Sequence, residues 1–250
     1  MTIKEINESI ESDYDREKIN VVNTNWFPLM KYDEEYGITK SFDAIQYLIL
    51  GLNPSLTNKF AEYIHSTIFE IKDKFEPSSN HDYDRQKIYL NNREVFTKKL
   101  VDYQAKLKYD EKEQIPYFAQ LEKFFNEFEN NTNFKENVFH YDFCQLRHTD
   151  SNEIKKTIEN NYKIFIKHLE SIIDVVQPKI IFIFNGTLAK LLKDNNYFSS
   201  NVSFSNEKVF KSNKSHFKIT SASLNATDLF IKLILQFWGI NFICNICYNN

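Results

Sequence analysis

The sequence predicts an α/β fold in which helices cover both faces of a four-stranded parallel sheet. Four short apolar runs, centred on residues 47–50, 137–143, 179–184 and 216–220, have the length and composition of buried strands. The segments between them are wide enough for right-handed crossovers, so the strands are expected to be parallel. We therefore expect one three-layer α/β/α domain over residues 1–250, with all four carboxyl ends at one sheet edge.

The first strand ends in a polar turn. The apolar residues 47–50 are followed by Gly51, which relaxes the backbone, and then by Asn53 and Pro54. Pro54 prevents further ladder pairing, and helical spacing begins at Phe60. A strand, a tight turn and a helix form the first half of a βαβ unit, in which ligands bind at the strand's carboxyl end.

Helices are predicted between and around the strands. Residues 1–44 form an N-terminal lead-in that is charged over residues 1–20. Residues 76–133 form a helical insertion after the first strand, with Pro116 in the first turn of one of its helices. A long helix is predicted over 151–176, and a final helix over 226–238.

Composition limits the classes of function. The net charge of −3 and the pI of about 6.1 disfavour a non-specific duplex binder, but not an enzyme that holds DNA through a small basic edge. A charged N-terminus and the lack of a membrane-length apolar run predict a cytoplasmic protein. Cys244 and Cys247 have no second pair to complete a zinc site, so neither a metal nor another cofactor is expected.

The strand exits resemble, in order, the motifs of the uracil-DNA glycosylase superfamily. G-L-N-P-S at 51–55 resembles the first motif, closest to the mismatch-specific and single-strand-selective branches. V-F-H-Y-D-F-C-Q-L at 138–146 looks like the second-strand motif of the single-strand-selective branch. I-I-F-I-F-N-G-T-L-A at 180–189 is similar to the third strand and its exit, and S-A-S-L-N at 221–225 falls where the second catalytic motif should stand.

The resemblance implies a DNA glycosylase that flips a base out of the stack and hydrolyses its N-glycosidic bond. Because the reaction passes through an oxocarbenium-like sugar, a positioned water suffices as nucleophile, and Asn53 is implied to hold it. The implied catalytic residues are Asn53, Ser223 and His148. The implied substrate-binding residues are Gly51, Leu52, Pro54, Ser55, Phe60, Asp142, Phe143, Asn185 and Ser221. The implied DNA contacts are Arg147, Lys208, Lys211, Lys214 and Asn225.

Two of these assignments carry alternatives. Phe60 fits a base-stacking role and the buried face of its helix equally well. The motif histidine is replaced by Ser221, and His148 is the preferred substitute over His140 and His216 because it follows a strand beside Arg147.

Asp142 changes the expected substrate. It stands where the family has an asparagine that recognises uracil through one donor and one acceptor. An ionised carboxylate only accepts hydrogen bonds, so it suits an exocyclic amine and repels O4 of uracil. The expected substrate is therefore a cytosine-derived or bulky modified base, such as those of hypermodified phage DNA, and an antiviral role fits it.

Other interpretations stay open. The chain could be an ordinary uracil glycosylase with a protonated Asp142, an inactive DNA-binding member, or an unrelated α/β enzyme acting on a nucleoside or a small molecule. The glycosylase interpretation requires Asn53, Asp142, Gly186 and Ser223 to border one pocket at the carboxyl edge. Placement of Asn53 and Ser223 at opposite edges would contradict it.

Overall fold

The computed structural model describes residues 2–17, 19, 44–53, 93–128, 132–146, 151–195, 202–204, 208–212, 215–224 and 230–235. The helices in these ranges are α1 (Ile3–Arg16), α2 (Arg93–Tyr109), α3 (Pro116–Phe128), α4 (Phe134–Asn137), α5 (Ser151–Asn160), α6 (Tyr162–Val176) and α7 (Gly186–Asp194). The strands are β1 (Tyr47–Gly51), β2 (Val138–Asp142), β3 (Ile180–Ile183), β4 (Val202–Phe204), β5 (Lys208–Ser212), β6 (Ser215–Leu224) and β7 (Phe230–Leu235).

The strands form one mixed sheet in the order β2-β1-β3-β7-β6-β4, with β5 also paired to β6. Strands β2, β1 and β3 are parallel, and β7 continues this parallel part beside β3. Strand β6 is antiparallel to β7 and to its other neighbours, β4 and β5. The α/β class is therefore confirmed, and the first three predicted strands form the parallel core.

The two faces of this core are covered by different helices. Leu48 and Leu50 of β1 pack in one apolar cluster with residues of α1, α5, α6 and α7. Tyr47 and Ile49 point to the other face, where α3 and α4 supply Phe118, Leu121, Phe125 and Phe134. All five residues of β1 are buried, as expected for a strand that is covered on both faces.

Helix α1 shows that the predicted lead-in contains part of the core. Thr2 and Glu5 form a capping box at its start. Ile6, Ile10 and Tyr14, spaced four residues apart, lie on one face and are buried against α6. The apolar stripe, and not only the cap, therefore fixes this helix to the domain.

The predicted helices of the middle of the chain are present. Helix α3 begins at Pro116. Proline suits the first helical position because it lacks a backbone N–H, and an N–H in the first turn has no partner within the helix. The helix predicted over 151–176 is two helices, α5 and α6, which meet at Asn161. Helix α6 ends at Gln177, whose φ of 47° is left-handed and whose N–H donates to the Ile173 carbonyl at 2.8 Å.

The fourth predicted strand and the final predicted helix require correction. Strand β6 continues to Leu224 and runs antiparallel, so residues 221–224 belong to the strand rather than to a polar exit. Residues 230–235 form β7 and not a helix. The sequence F-I-K-L-I-L is a short apolar run, and such a run suits a strand between two neighbours, here β3 and β6.

None of the helices in the described ranges has the length and apolar character needed to cross a membrane.

Candidate functional site at the carboxyl edge

Gly51 and Asp142 lie side by side where β1 and β2 end. They are register partners, and the ladder continues with the N–H of Phe143 donating to the Gly51 carbonyl at 2.9 Å. A β-carbon at Gly51 would overlap Asp142 Oδ1 and would lie 3.3 Å from His140 Nε2. Glycine is therefore the residue that leaves room for the Asp142 carboxylate.

Asn53 is held at the same edge. Its Nδ2 donates to the carbonyl of Leu146, on the exit of β2, at 3.3 Å. This bond fixes which end of the carboxamide is the donor, and an amide oxygen has two lone pairs with which to accept. Asn53 and Asp142 thus share the edge where the sequence predicts them.

A network from α1 braces the exit of β2. The Tyr14 hydroxyl donates to Gln145 Oε1 at 2.7 Å and accepts from the Gln145 backbone N–H at 3.2 Å. Gln145 Nε2 donates to the Asp142 carbonyl at 2.6 Å. Because the exit of β2 also carries the carbonyl that binds Asn53, one network supports both candidate residues.

His140 is a second polar group on the face of Asp142. It lies two residues earlier in β2, is 6% exposed, and has Nε2 3.9 Å from Asp142 Oδ1. Neither ring nitrogen has a hydrogen-bond partner within the part of the chain that the structure describes. Burial first, and then the positive charge of Lys108, lower the pKa of His140, so the ring is neutral at pH 7.

Tyr117, the second residue of α3, lies beside this pair. Its ring centroid is 6.0 Å from that of His140, and the residue is 42% exposed, an unusual exposure for a large apolar side chain among the described residues. Desolvation of its hydroxyl, and then the charge of Asp142, raise the pKa of Tyr117. The sequence analysis assigned no role to Tyr117; its place after the helix-starting Pro116 was the available signal.

Asn185 and Gly186 lie at the carboxyl end of β3. Asn185 Oδ1 accepts the N–H of Leu188 at 2.9 Å and so caps α7. A β-carbon at Gly186 would meet nothing within 4 Å. Asn185 therefore has a structural role in the described contacts, and close packing does not require a glycine at 186.

Leu52 and Phe143 are not placed as predicted. Both side chains belong to the apolar cluster under α1, α5, α6 and α7, on the opposite face of the sheet from Asp142. Phe143 is fully buried, and its ring lies 5.7 Å from that of Phe165. Alternation along the strand exit directs both side chains into the core, and contact of these two residues with substrate stays a prediction.

Ser221 and Ser223 also lie away from the predicted position. Ser223 pairs with Phe230, the first residue of β7, and Phe230 pairs with Ile180, the first residue of β3. Ser223 therefore lies at the amino end of the parallel strands, about 13 Å along the strand direction from the carboxyl edge. Ser221 is inside β6, two residues earlier. Antiparallel pairing of β6 reverses its direction, so the single pocket predicted for Asn53 and Ser223 is not formed.

The lysines of β5 lie toward the carboxyl edge. The ladder between β3 and β7 ends at Leu233. The next residue, Ile234, pairs with Ile219, and Ile219 pairs with Lys208. Lys208 is therefore level with the carboxyl edge, and Lys211 lies further out along the hairpin. Contact of these residues with DNA stays a prediction.

Seven predicted site residues fall outside the described ranges: Pro54, Ser55, Phe60, Arg147, His148, Lys214 and Asn225.

The described residues contain no cluster of three or more His, Cys, Asp and Glu side chains that could hold a metal ion. Cys144, behind the β2 exit, is fully buried, and burial raises the pKa of its thiol to about 12. A thiol in this environment is a core residue rather than a nucleophile.

Comparison with protein-family models gives no match for this sequence, and comparison with curated proteins gives none.

Proposed function

We propose that the carboxyl edge of β1 and β2 is a nucleobase site, and that the chain is a DNA glycosylase acting on a base that bears an exocyclic amine. The placement of Ser223 at the amino end of the parallel strands contradicts the complete four-motif site required above, so the proposal uses only the exits of β1 and β2. The observation that carries the proposal is the placement of Asn53 and Asp142 at the same sheet edge, with Gly51 leaving room for the carboxylate. The resemblance of 51–55 and 138–146 to the first two glycosylase motifs supports it.

The proposed chemistry needs little from the protein. Asn53 accepts a hydrogen bond from the attacking water through Oδ1, while its Nδ2 is held by the Leu146 carbonyl. The water adds to the sugar carbon as the bond to the base breaks, and the electron pair leaves with the base. The proton that the water loses ends on the released base, which balances the hydrolysis. Stabilising that negative charge requires hydrogen-bond donors at the edge.

Asp142 supplies specificity in this proposal. Its carboxylate accepts from the exocyclic amine and disfavours the O4 of uracil. A cytosine-derived base is the proposed substrate, and hypermodified phage DNA is the proposed source. A uracil-DNA glycosylase-like fold is proposed only for the β1–β3 half, because Ser221 and Ser223 do not reach this edge.

The position of Ser223 favours a second candidate. Ser223 lies at the amino end of the parallel strands, away from Asn53. A complete site of the kind that the resemblance implies needs Ser223 and Asn53 in one pocket. An α/β hydrolase acting on a nucleoside or another small molecule needs no such motif. It would use the same Asn53 and Asp142, without a DNA surface.

A substrate panel separates the two candidates. The protein is incubated with oligonucleotides containing uracil, cytosine, 5-hydroxymethylcytosine or glucosylated 5-hydroxymethylcytosine, and with the matching free nucleosides. Alkali-labile sites in a cytosine-type oligonucleotide support the glycosylase, and release of free base from nucleosides alone supports the second candidate. Excision of uracil only would contradict the proposed specificity. Binding of DNA without cleavage would contradict the proposed activity.

Asn53→Ala tests the assigned role. We expect turnover to fall by roughly two or more orders of magnitude, the scale of losing one transition-state contact, with the fold retained. Asn195→Ala is the matched control, because Asn195 Nδ2 also donates to a backbone carbonyl, that of Leu191 at 2.9 Å, at the far end of α7. Equal activity in the two variants would show that another group holds the water.

A further inference from the structure

His140 is a buried histidine for which the proposed chemistry has no role. Its two nitrogens lack hydrogen-bond partners in the described residues, although leaving one buried polar atom unpaired typically costs about 1–3 kcal/mol. Its ring packs edge-on against Phe118, with centroids 5.2 Å apart, so packing alone would be served equally by phenylalanine. A polar ring in this position needs a partner that the described residues do not supply.

The groups around His140 define what that partner must be. Asp142 Oδ1, 3.9 Å from Nε2, is an acceptor, and a carboxylate takes several hydrogen bonds at once. A neutral imidazole offers one N–H donor. Lys108, which is 3% exposed and lies 5.5 Å from the Phe118 ring centroid, keeps positive charge near the pair. The facing groups are therefore a donor and an anionic acceptor.

We infer that His140, Asp142 and Tyr117 form a subsite for a heterocycle with an amidine edge, in which a ring nitrogen stands next to an exocyclic amine. His140 donates to the ring nitrogen, Asp142 accepts from the amine, and the exposed ring of Tyr117 stacks on the heterocycle. Cytosine presents this edge, and so does adenine. The inference rests on the proposed nucleobase site and identifies the class of base.

His140 and Asp142 together disfavour a base that has a carbonyl in place of the exocyclic amine. Uracil and hypoxanthine present a carbonyl where cytosine and adenine present the amine. The carbonyl oxygen would face the Asp142 carboxylate without an intervening proton. His140 can switch tautomer to accept from a ring N–H, but Asp142 cannot become a donor while it is ionised.

Nucleoside binding to the full chain tests the inference without requiring turnover. The probes are 2′-deoxycytidine against 2′-deoxyuridine, and 2′-deoxyadenosine against 2′-deoxyinosine, followed by NMR titration at millimolar concentrations. We expect each amine-bearing nucleoside to bind at least about tenfold more tightly than its carbonyl partner. Equal binding within both pairs, or binding of neither amine-bearing nucleoside, would overturn the inference. Preference in one pair only would identify the base as cytosine-type or adenine-type.

His140→Phe separates recognition from packing. It keeps the ring contacts and removes the donor, so the affinity for each amine-bearing nucleoside should fall about tenfold, with little change for the weakly bound deoxyuridine and deoxyinosine. His168→Phe is the control, because His168 is also buried with an unpartnered Nδ1 but lies against α1, on the other face. If His140→Phe does not fold, ¹⁵N-histidine spectra of the wild-type protein replace it. An imidazole signal that shifts with deoxycytidine and is absent from the spectrum of a His140→Gln variant supports the inference, and unchanged imidazole signals refute it.

The outcomes also distinguish this inference from the proposed function. Nucleoside preference without any cleavage of DNA would retain the subsite and reject the glycosylase. Excision of a cytosine-type base with the same selectivity in His140→Phe would retain the glycosylase and reject the subsite.

Discussion

Gly51→Ala is the substitution for which the structure makes the sharpest prediction. The added methyl group would overlap Asp142 Oδ1 and approach Asp142 Cγ and His140 Nε2, both at 3.3 Å. Asp142 and His140 are 4% and 6% exposed, so the displaced carboxylate can move only by shifting the side chains that pack around it. The substitution therefore strains the site directly while leaving the apolar clusters intact.

The expected loss of stability is about 1–3 kcal/mol, the usual range for an added methyl group in a packed interior. Gly186→Ala is the matched control: its methyl group meets nothing within 4 Å, and alanine in helix α7 is expected to stabilise by about 0.4–1 kcal/mol. The two variants should differ by about 1.4–4 kcal/mol in free energy of unfolding. Urea denaturation with a common slope measures this difference.

Equal stability of the two variants would refute the packing argument. It would mean that the Asp142 side chain rotates away from Gly51 at no cost. In that case the carboxylate would not be fixed at the edge, and its proposed role in recognition would lose its structural basis.

Three further predictions concern Asp13 and Tyr14 of α1 and Asp142 of β2. Hydrogen bonds from Lys167 and His168 outweigh the effect of burial, which alone would raise the pKa of Asp13, and hold that pKa at about 2. A carboxyl group whose pKa is lowered by folding stabilises the folded state at any pH above its unfolded pKa, near 4. Asp13→Asn should therefore lower the free energy of unfolding by about 2 kcal/mol at pH 7. Urea titrations should show this difference shrinking as the pH falls from about 4 towards 2. Tyr14→Phe removes both hydrogen bonds to Gln145 and should lower the free energy of unfolding in urea by about 1–3 kcal/mol. Tyr162→Phe is the control and should be close to neutral, because the buried Tyr162 hydroxyl has no partner in the described residues. A neutral Tyr14→Phe would contradict the bracing network. Asp142→Asn should shift the ratio of excision rates toward uracil by an amount worth about 1–3 kcal/mol, and an unchanged ratio in competing oligonucleotides would exclude Asp142 as the base-recognising residue.

The sequence predicts the secondary structure correctly where the local residue pattern and the tertiary environment favour the same element. Tyr47–Gly51 is a short apolar run that ends in glycine, and it is a strand buried on both faces. The strand exits of β1 and β2 could be aligned because parallel neighbours end at one edge, which brings Asn53 and Asp142 together. This half of the candidate site follows from short-range signals and one topological rule.

The other half depends on pairings that no local signal encodes. The sequence S-A-S at 221–223 is polar enough for a loop, yet it lies in β6 because β4 and β7 pair with it from both sides. The run 230–235 fits a buried helix segment as well as a strand, and only its place between β3 and β6 decides. His140 and Tyr117 are brought together by the docking of α3 on the sheet, which spacing along the chain does not reveal.

The contacts of α1 have a consequence for synthesis of the chain. Asp13 bonds to His168, 155 residues later, and Tyr14 bonds to Gln145, 131 residues later. At about 5–20 residues per second, a ribosome takes roughly 8–30 s to make the longer of these separations. During that interval Ile6, Ile10 and Tyr14 have none of the α6 surface that later covers them. The nascent chain thus carries an exposed apolar stripe for many seconds, which makes α1 the segment where a chaperone would be expected to bind first.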